Sequence, residues 1–108
     1  MTVIRISSGR RGIRREYAIE MDGHAGFNPG NDVVCAALSC LFFSLCNYLG
    51  SIASPEVEIV QDGGYGSVRC LGGLRVRLAF EFCVFAFRML SSSYPENVVV
   101  CGETVTSN

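Results

Sequence analysis

The sequence predicts an α+β domain, in which two helices pack on one face of an antiparallel sheet in the order β-β-α-β-β-α. Two observations carry this prediction. Long apolar stretches with helical periodicity begin near residues 32 and 74, and each follows a pair of segments with the alternation of half-buried strands. The length of 108 residues fits a single domain, residues 1–108, with a modest core.

Four segments are predicted to be strands, and they form two hairpins. The first hairpin joins residues 2–7 to residues 13–21 through a Gly-Arg-Arg-Gly turn. In its second strand one face is apolar, with Ile13, Tyr17, Ile19 and Met21. The other hairpin joins residues 56–61 to residues 67–71 through a glycine-rich turn. A final extended piece is expected at residues 98–101.

The first helix is predicted over residues 32–49, with Asn31 or Asp32 as its N-cap and Gly50 at its end. An apolar stripe follows the helical period, made of Val34, Leu38, Leu41, Phe42, Leu45 and Leu49. The uncharged segment 33–49 is 17 residues long, at the lower limit for a membrane span. Its single stripe favours packing on a sheet, so no membrane is expected.

The second helix, predicted over residues 74–91, has two apolar faces. One face contains Val76, Ala79, Phe80, Cys83, Phe87 and Leu90. The other contains Leu74, Leu78, Phe82, Phe85 and Met89. A helix that is apolar on two sides is buried on two sides. The second face is therefore either a subunit interface or the packing surface of the first helix.

Composition excludes several classes of protein. The apolar content of 49% and charged content of 18% exclude intrinsic disorder, and a net charge of -1 gives no general attraction to nucleic acid. Six cysteines lie mostly in apolar runs, and we find no signal peptide, so we expect free thiols in a reducing cytoplasm. One histidine and no Cys-x-x-Cys motif argue against a metal site, and no cofactor is expected.

The candidate chemistry lies between His24, the only histidine, and Cys35, eleven residues later. With Asp32 as the cap, Cys35 occupies the third helical position, where the helix dipole favours a thiolate. The amides after Asp32 could also contribute to an oxyanion hole. The simpler alternative is that Cys35 is a small buried side chain and His24 a surface residue.

The stretch containing these residues resembles the bacterial ribosomal-processing cysteine protease family. The resemblance rests on Gly-His-Ala at 23–25, Gly-x-Asp-Val-Val-Cys-Ala-Ala-Leu-Ser at 30–39, the basic hairpin, and Ser-Tyr-Pro-Glu-Asn at 93–97. It implies a homodimer, and a cysteine endopeptidase that removes an N-terminal extension from the twenty-seventh large-subunit ribosomal protein after two aromatic residues. The loop between histidine and cysteine is one residue shorter here than in the family pattern.

The resemblance also assigns roles to residues. His24 and Cys35 are the implied catalytic dyad, and Asp32 and Ser39 are implied auxiliary residues. Asp32 could orient His24 or only cap the helix, and Ser39 could support Cys35 or face solvent. The substrate loop is expected to include Gly23, Ala25, Gly26 and Gly30. This loop could close over the substrate or be an ordinary disordered loop.

Two other functions fit parts of the sequence. The first is a non-catalytic ribosome- or RNA-associated protein that uses Arg5, Arg10, Arg11, Arg14 and Arg15. No aromatic residues are interleaved with these arginines and acidic residues follow them, so solvated charges are the expected account and no direct nucleic-acid contact is expected. The second is a redox-sensing thiol protein, but no other cysteine on the first helix is within disulfide reach of Cys35.

Overall fold

The structure, a computed structural model, describes residues 1–53 and 56–102. Its elements in chain order are β1 (Thr2–Arg11), β2 (Arg14–Asp22), α1 (Val33–Ala53), β3 (Val57–Asp62), β4 (Tyr65–Gly72), α2 (Leu74–Ser93) and β5 (Val98–Gly102). The strands form one sheet in the order β3-β4-β2-β1-β5. The predicted α+β fold with two helices on one sheet is confirmed.

The last strand makes the sheet mixed rather than antiparallel. β5 pairs in parallel with β1, with Thr2 opposite Val98 and Ile6 opposite Gly102, whereas the other neighbouring strands are antiparallel. The expected extended piece is therefore a full strand. Because α2 carries the chain back across the sheet, the segment after it runs in the direction of β1 and pairs with the edge of β1.

The core lies between the inner face of the sheet and the two helices. Alternate residues of β1, β2 and β4 are buried there: Ile4, Ile6, Tyr17, Ile19, Val68 and Cys70. From α1 the buried residues are Val34, Leu38, Phe42, Leu45, Cys46 and Leu49, which confirms the predicted stripe except for the half-buried Leu41. By length and composition α1 could cross a membrane, but these side chains pack against the sheet.

Several element boundaries differ from the sequence prediction. β1 continues to Arg11, so most of the predicted Gly-Arg-Arg-Gly turn is strand and the turn itself is Gly12 and Ile13. Ile13 is fully exposed because it belongs to the turn before β2, so strand alternation does not continue to it. α1 continues through Gly50 for three more residues. A glycine inside a helix costs roughly 1 kcal/mol, and the packing of Ile52 and Ala53 against the core favours the longer helix.

The second apolar face of α2 is not covered by α1. The first face is buried through Val76, Phe80, Cys83, Val84 and Phe87, and the Phe80 ring stacks on Tyr17 with centroids 5.6 Å apart. The exposed fractions on the second face are 64% for Leu74, 48% for Leu78, 75% for Phe82, 65% for Phe85 and 59% for Met89. The alternative that α1 packs against this face within one chain is therefore wrong.

Candidate active site

Asp32 caps α1 and fastens the preceding loop to it. Its Oδ1 accepts hydrogen bonds from the amides of Val34 and Cys35, both at 2.9 Å. Its Oδ2 accepts from the amides of Phe27 at 2.9 Å and Asn28 at 3.2 Å. These bonds, chiefly the one from the Cys35 amide, hold the pKa of the Asp32 carboxyl below its usual value of 3.8.

The geometry around Asp32 settles two alternatives left open by the sequence. A carboxylate has about four lone-pair sites, and the four amides occupy them, so Asp32 caps the helix rather than orienting His24. The amides of Val34 and Cys35 are bound to this carboxylate. These two amides are therefore not free to contribute to the oxyanion hole considered from the sequence.

The sulfur of Cys35 lies at the edge of the core and is half-buried. It accepts a hydrogen bond from the amide of Ala25, with an N···S distance of 3.3 Å. Ala25 directly follows His24 and is itself buried, so the histidine backbone lies beside the sulfur. This N–H···S bond fixes the sulfur against the loop that carries His24.

The segment after α2 holds Ala25 in place from the other side. The Asn97 side chain donates from Nδ2 to the Ala25 carbonyl at 3.0 Å, and the Asn97 carbonyl accepts from the Thr2 amide at 2.9 Å. The Phe27 ring meets Tyr94 edge to face, with centroids 5.2 Å apart. The loop after His24 is therefore ordered by side chains from residues 94–97, which argues against the disordered-loop alternative.

His24 is exposed and lies over the turn between β3 and β4. A Cβ atom at Gly64 would come within 3.1 Å of the His24 Nε2, so the imidazole packs directly on this glycine. The Gly64 carbonyl also accepts a hydrogen bond from the Gly23 amide at 2.8 Å. Among the described residues, no hydrogen bond joins His24 directly to Cys35. The glycine turn therefore positions the imidazole at the cavities that Cys35 also lines, and no carboxylate within residues 1–53 and 56–102 pairs with it.

His24 and Cys35 line two adjoining cavities. The first, of about 140 Å³, also includes Ser39 and Gly23. The second, of about 330 Å³, is bounded by the loop, with Gly26, Pro29, Gly30 and Asp32. The structure thus brings together the predicted site residues around one opening, except that Ala25 lies buried beneath it.

Sequence reasoning missed the other walls of the first cavity. They come from β1, β2, α1 and the β3–β4 hairpin: Thr2, Met21, Leu38, Phe42, Phe43, Gln61, Gly63, Gly64, Tyr65 and Gly66. Phe43 was accessible to sequence reasoning because it lies eight residues after Cys35 on the same helical face. The hairpin residues carry no such local signal, since the pairing of β2 with β4 places them there.

The remaining cysteines differ from Cys35 in their surroundings. Burial raises the pKa of Cys46 to about 11 and that of Cys83 to about 12, so both thiols stay protonated at neutral pH. Cys40 and Cys101 are exposed. Within residues 1–53 and 56–102, no three histidine, cysteine or acidic side chains converge as metal ligands would.

Comparison with known proteins identifies the family. The family model described as cysteine protease Prp matches residues 1–99. The chain belongs to the Prp cysteine protease family. A ribosomal processing cysteine protease Prp from Staphylococcus aureus strain Mu50 is 26% identical over 83 residues, covering 72% of this chain and 78% of that protein.

Solved Prp structures share the fold. The crystal structure of an essential ribosomal processing protease Prp from S. aureus, in complex with a covalently linked product peptide, superposes with a TM-score of 0.82. It is 24% identical and covers 95% of this chain and 100% of that one. A Streptococcus mutans protein of known crystal structure has a TM-score of 0.73 at 30% identity, covering 96% of this chain and 95% of that one.

The Asp32 cap predicts a pH-dependent stability. Asp32→Ala should lower the melting temperature by several degrees at neutral pH, because the amides of the loop and of α1 lose their acceptor. The pKa of the Asp32 carboxyl is lower in the folded protein than its ordinary value of 3.8. Its contribution to stability is therefore complete above pH 3.8 and is lost as the pH falls through the pKa of the folded state. Melting curves of wild type and variant should therefore converge in acid.

Asp62→Ala is the control, since this exposed carboxyl belongs to the other hairpin. It should melt close to wild type. A gap between wild type and Asp32→Ala that stays constant down to the most acidic condition would contradict a stabilising carboxylate.

The bond from Asn97 to Ala25 predicts a positioning role in this Prp-family site. Asn97→Ala should slow iodoacetamide labelling of Cys35 roughly fivefold, since the lost hydrogen bond is worth about 1 kcal/mol and its loss frees the peptide that donates to sulfur. Peptide mapping after brief labelling of folded protein measures this rate. In Asn97→Asp, Cys35 should be labelled at least as slowly as in Asn97→Ala, because the substitution places a carboxylate against the Ala25 carbonyl.

Asn47→Ala, on the exposed side of α1, is the matched control and should label at the wild-type rate. A purely structural role for Asn97 would lower the melting temperature and leave the labelling rate of the folded protein unchanged. That result would remove the positioning role.

Proposed function

We propose that this protein is an endopeptidase that removes a short N-terminal extension from a large-subunit ribosomal protein, with Cys35 as nucleophile and His24 as general base and acid. The observation that carries the proposal is the placement of both side chains at one opening. The Cys35 sulfur accepts a hydrogen bond from the amide of Ala25, the residue that follows His24. The names of the S. aureus relatives, ribosomal processing proteases, support the substrate class.

In the first half of the reaction, His24 takes the proton of the Cys35 thiol. The thiolate attacks the carbonyl carbon of the scissile peptide and forms a tetrahedral intermediate. The intermediate collapses as the imidazolium returns its proton to the leaving amine, and the N-terminal extension stays on Cys35 as a thioester. The S. aureus structure with a covalently linked product peptide supports a covalent route of this kind.

In the second half, His24 removes a proton from a water molecule that attacks the thioester carbonyl. Collapse of this second intermediate breaks the C–S bond, releases the extension as a free acid and returns the proton to sulfur. Between turnovers the Ala25 amide holds the sulfur in position, since its N–H points at Sγ. The reaction balances without a cofactor.

Side chains beside the dyad fit an aromatic substrate residue. Phe42 and Phe43 meet edge to face with centroids 5.7 Å apart, and Met21 and Tyr65 complete an apolar wall. Aromatic rings bind well against aromatic edges and thioethers. We assign this cavity to the aromatic residues before the cut, and Ser39, on its rim, to the substrate backbone.

We further propose that the enzyme works in the cytoplasm, where its substrate is made. The buried thiols of Cys46, Cys70 and Cys83 pack as small apolar side chains, a use of cysteine typical of a reducing compartment.

The dyad predicts the effect of removing either side chain. Cys35→Ala and His24→Ala should each abolish cleavage of the ribosomal-protein precursor, because one lacks the nucleophile and the other loses a base worth roughly 10²–10⁴ in rate. Incubation with the precursor, followed by mass analysis of the product N-terminus, measures the loss.

Cys40→Ala is the matched control, since Cys40 is an exposed thiol five residues farther along α1. It should cleave at the wild-type rate. Full cleavage by folded Cys35→Ala or His24→Ala would refute the dyad.

The proposed function includes a homodimer formed through α2, residues 74–93. The support is its second apolar face, whose five large side chains are 48–75% exposed in the single chain. Burying one phenylalanine is worth roughly 1.5–3 kcal/mol, so two copies of this face facing each other across a twofold axis can sustain association.

Phe82→Glu or Phe85→Glu should therefore give folded, soluble monomers, because a charge in the interface has no partner. Light scattering and circular dichroism measure mass and folding together. Phe80→Glu is the contrasting variant and should unfold, since Phe80 is completely buried in the core. Wild-type protein that stays monomeric at high micromolar concentration would exclude this interface.

A further inference from the structure

The tip of the β1–β2 hairpin pairs arginine with arginine. In the antiparallel register Arg10 lies directly opposite Arg15, which we call the inner pair, and Arg11 lies directly opposite Arg14, which we call the outer pair. Like charges at facing positions destabilise a strand pair. Burial of an apolar side chain in the hairpin turn does not offset this repulsion, since Ile13 is fully exposed. The fold alone therefore does not account for two successive repulsive pairs.

The two pairs project from opposite faces of the hairpin because side chains alternate along a strand. Acidic residues partly compensate the outer pair: a Glu16 carboxylate oxygen lies 3.6 Å from Arg11, and one from Glu56 lies 3.1 Å from Arg14. The inner pair, on the side of the helices, forms no ion pair with any acidic residue that the structure describes. Positive charge therefore faces outward on both sides of a narrow ribbon.

The start of α2 adds further positive charge beside the inner pair. Gly73 provides no side-chain cap, and the first turn contains Arg75 and Arg77 but no acidic residue. Unpaired amides at a helix start carry partial positive charge, so arginines there reinforce the field instead of offsetting it. Arg77 pairs with Glu81 at 3.1 Å and lines one groove together with Arg15.

This basic end, formed by the inner pair, the outer pair and the first turn of α2, lies far from the candidate site. β2 begins at Arg14 in the hairpin tip and ends at Asp22, two residues before His24. Nine extended residues span about 30 Å. A partner bound at the basic end therefore leaves the cavities beside His24 and Cys35 open.

We propose that the basic end binds the phosphate backbone of RNA. The planar guanidinium group of arginine can donate two hydrogen bonds to one phosphate. A hairpin with arginines on both faces can therefore contact phosphates on either side of it. An acidic peptide lying on one face would meet only one pair. The choice of RNA over DNA rests on the proposed function, because the proposed substrate is a ribosomal protein, which functions bound to RNA. This replaces the expectation of solvated charges, since the register brings the arginines face to face.

The test is the anisotropy of a short labelled RNA duplex titrated with the full chain, between about 50 and about 200 mM salt. Wild type should bind with an affinity that falls steeply as salt rises. The double variant Arg10→Gln with Arg15→Gln should bind at least about tenfold more weakly and lose roughly two units of the logarithmic salt slope. Its melting temperature should not fall, because the substitution removes a repulsive pair.

The matched control is Arg5→Gln with Arg88→Gln, which removes the same charge away from the basic end. Arg5 pairs with Glu20 five residues before Arg10 on β1, and Arg88 lies eleven residues after Arg77 on α2, so each is about 16 Å from the basic end along its element. This control should bind RNA within about twofold of wild type, since charges beyond a Debye length are screened. Equal weakening in both double variants, or no binding at the lowest salt, would overturn the proposal.

Two competitors decide the nature of the partner. A DNA duplex that binds as tightly as RNA, or polyglutamate that displaces RNA at equal charge, would overturn the assignment to RNA. Cleavage of a short peptide is measured on the same samples. Cleavage without RNA binding refutes this inference alone, whereas RNA binding without cleavage refutes the proposed function alone.

Discussion

The carboxylate of Asp32 accepts two hydrogen bonds from the loop before it and two from the helix after it. Because one carboxylate serves both segments, Oδ2 the loop and Oδ1 the helix, the loop cannot move independently of the first turn of α1. His24 and Ala25 lie at one end of that loop, and Cys35 lies in that turn. The Asp32 carboxylate thus fixes the loop relative to Cys35, while the turn at Gly64 positions the imidazole itself.

The sheet separates the molecule into two ends with different chemistry. The start of β1, the end of β2 and the β3–β4 turn surround the cavity beside His24 and Cys35. The other end of β1 and β2 carries the facing arginines, with the first turn of α2 beside them. Strands are stiff spacers with a fixed rise per residue. The same two strands therefore hold the cavity beside Cys35 and a positively charged surface at a constant separation.

The sequence could predict those features of the fold and the site that depend on residues close together in the chain. His24, Cys35 and the cap between them fall within twelve positions, so turn chemistry and helical period suffice to place them on one opening. Gly64 and Asn97 contact the same opening from 40 and 73 residues after His24. Their placement follows from strand register and from the parallel pairing of β5, which periodicity does not encode. The prediction that Ile13 lies on the apolar face of a strand was wrong for a related reason, because alternation does not mark where a strand becomes a turn.

The hydrogen bond from Asn97 to Ala25 also bears on how the protein is made. A chain synthesised from its N-terminus contains His24 and Cys35 long before it contains Asn97. Until the segment after α2 has been added and β5 has docked beside β1, the Ala25 carbonyl lacks this donor. The surroundings of the thiol therefore cannot be completed before this segment has been synthesised, and a nascent chain that lacks it contains His24 and Cys35 without this part of their setting.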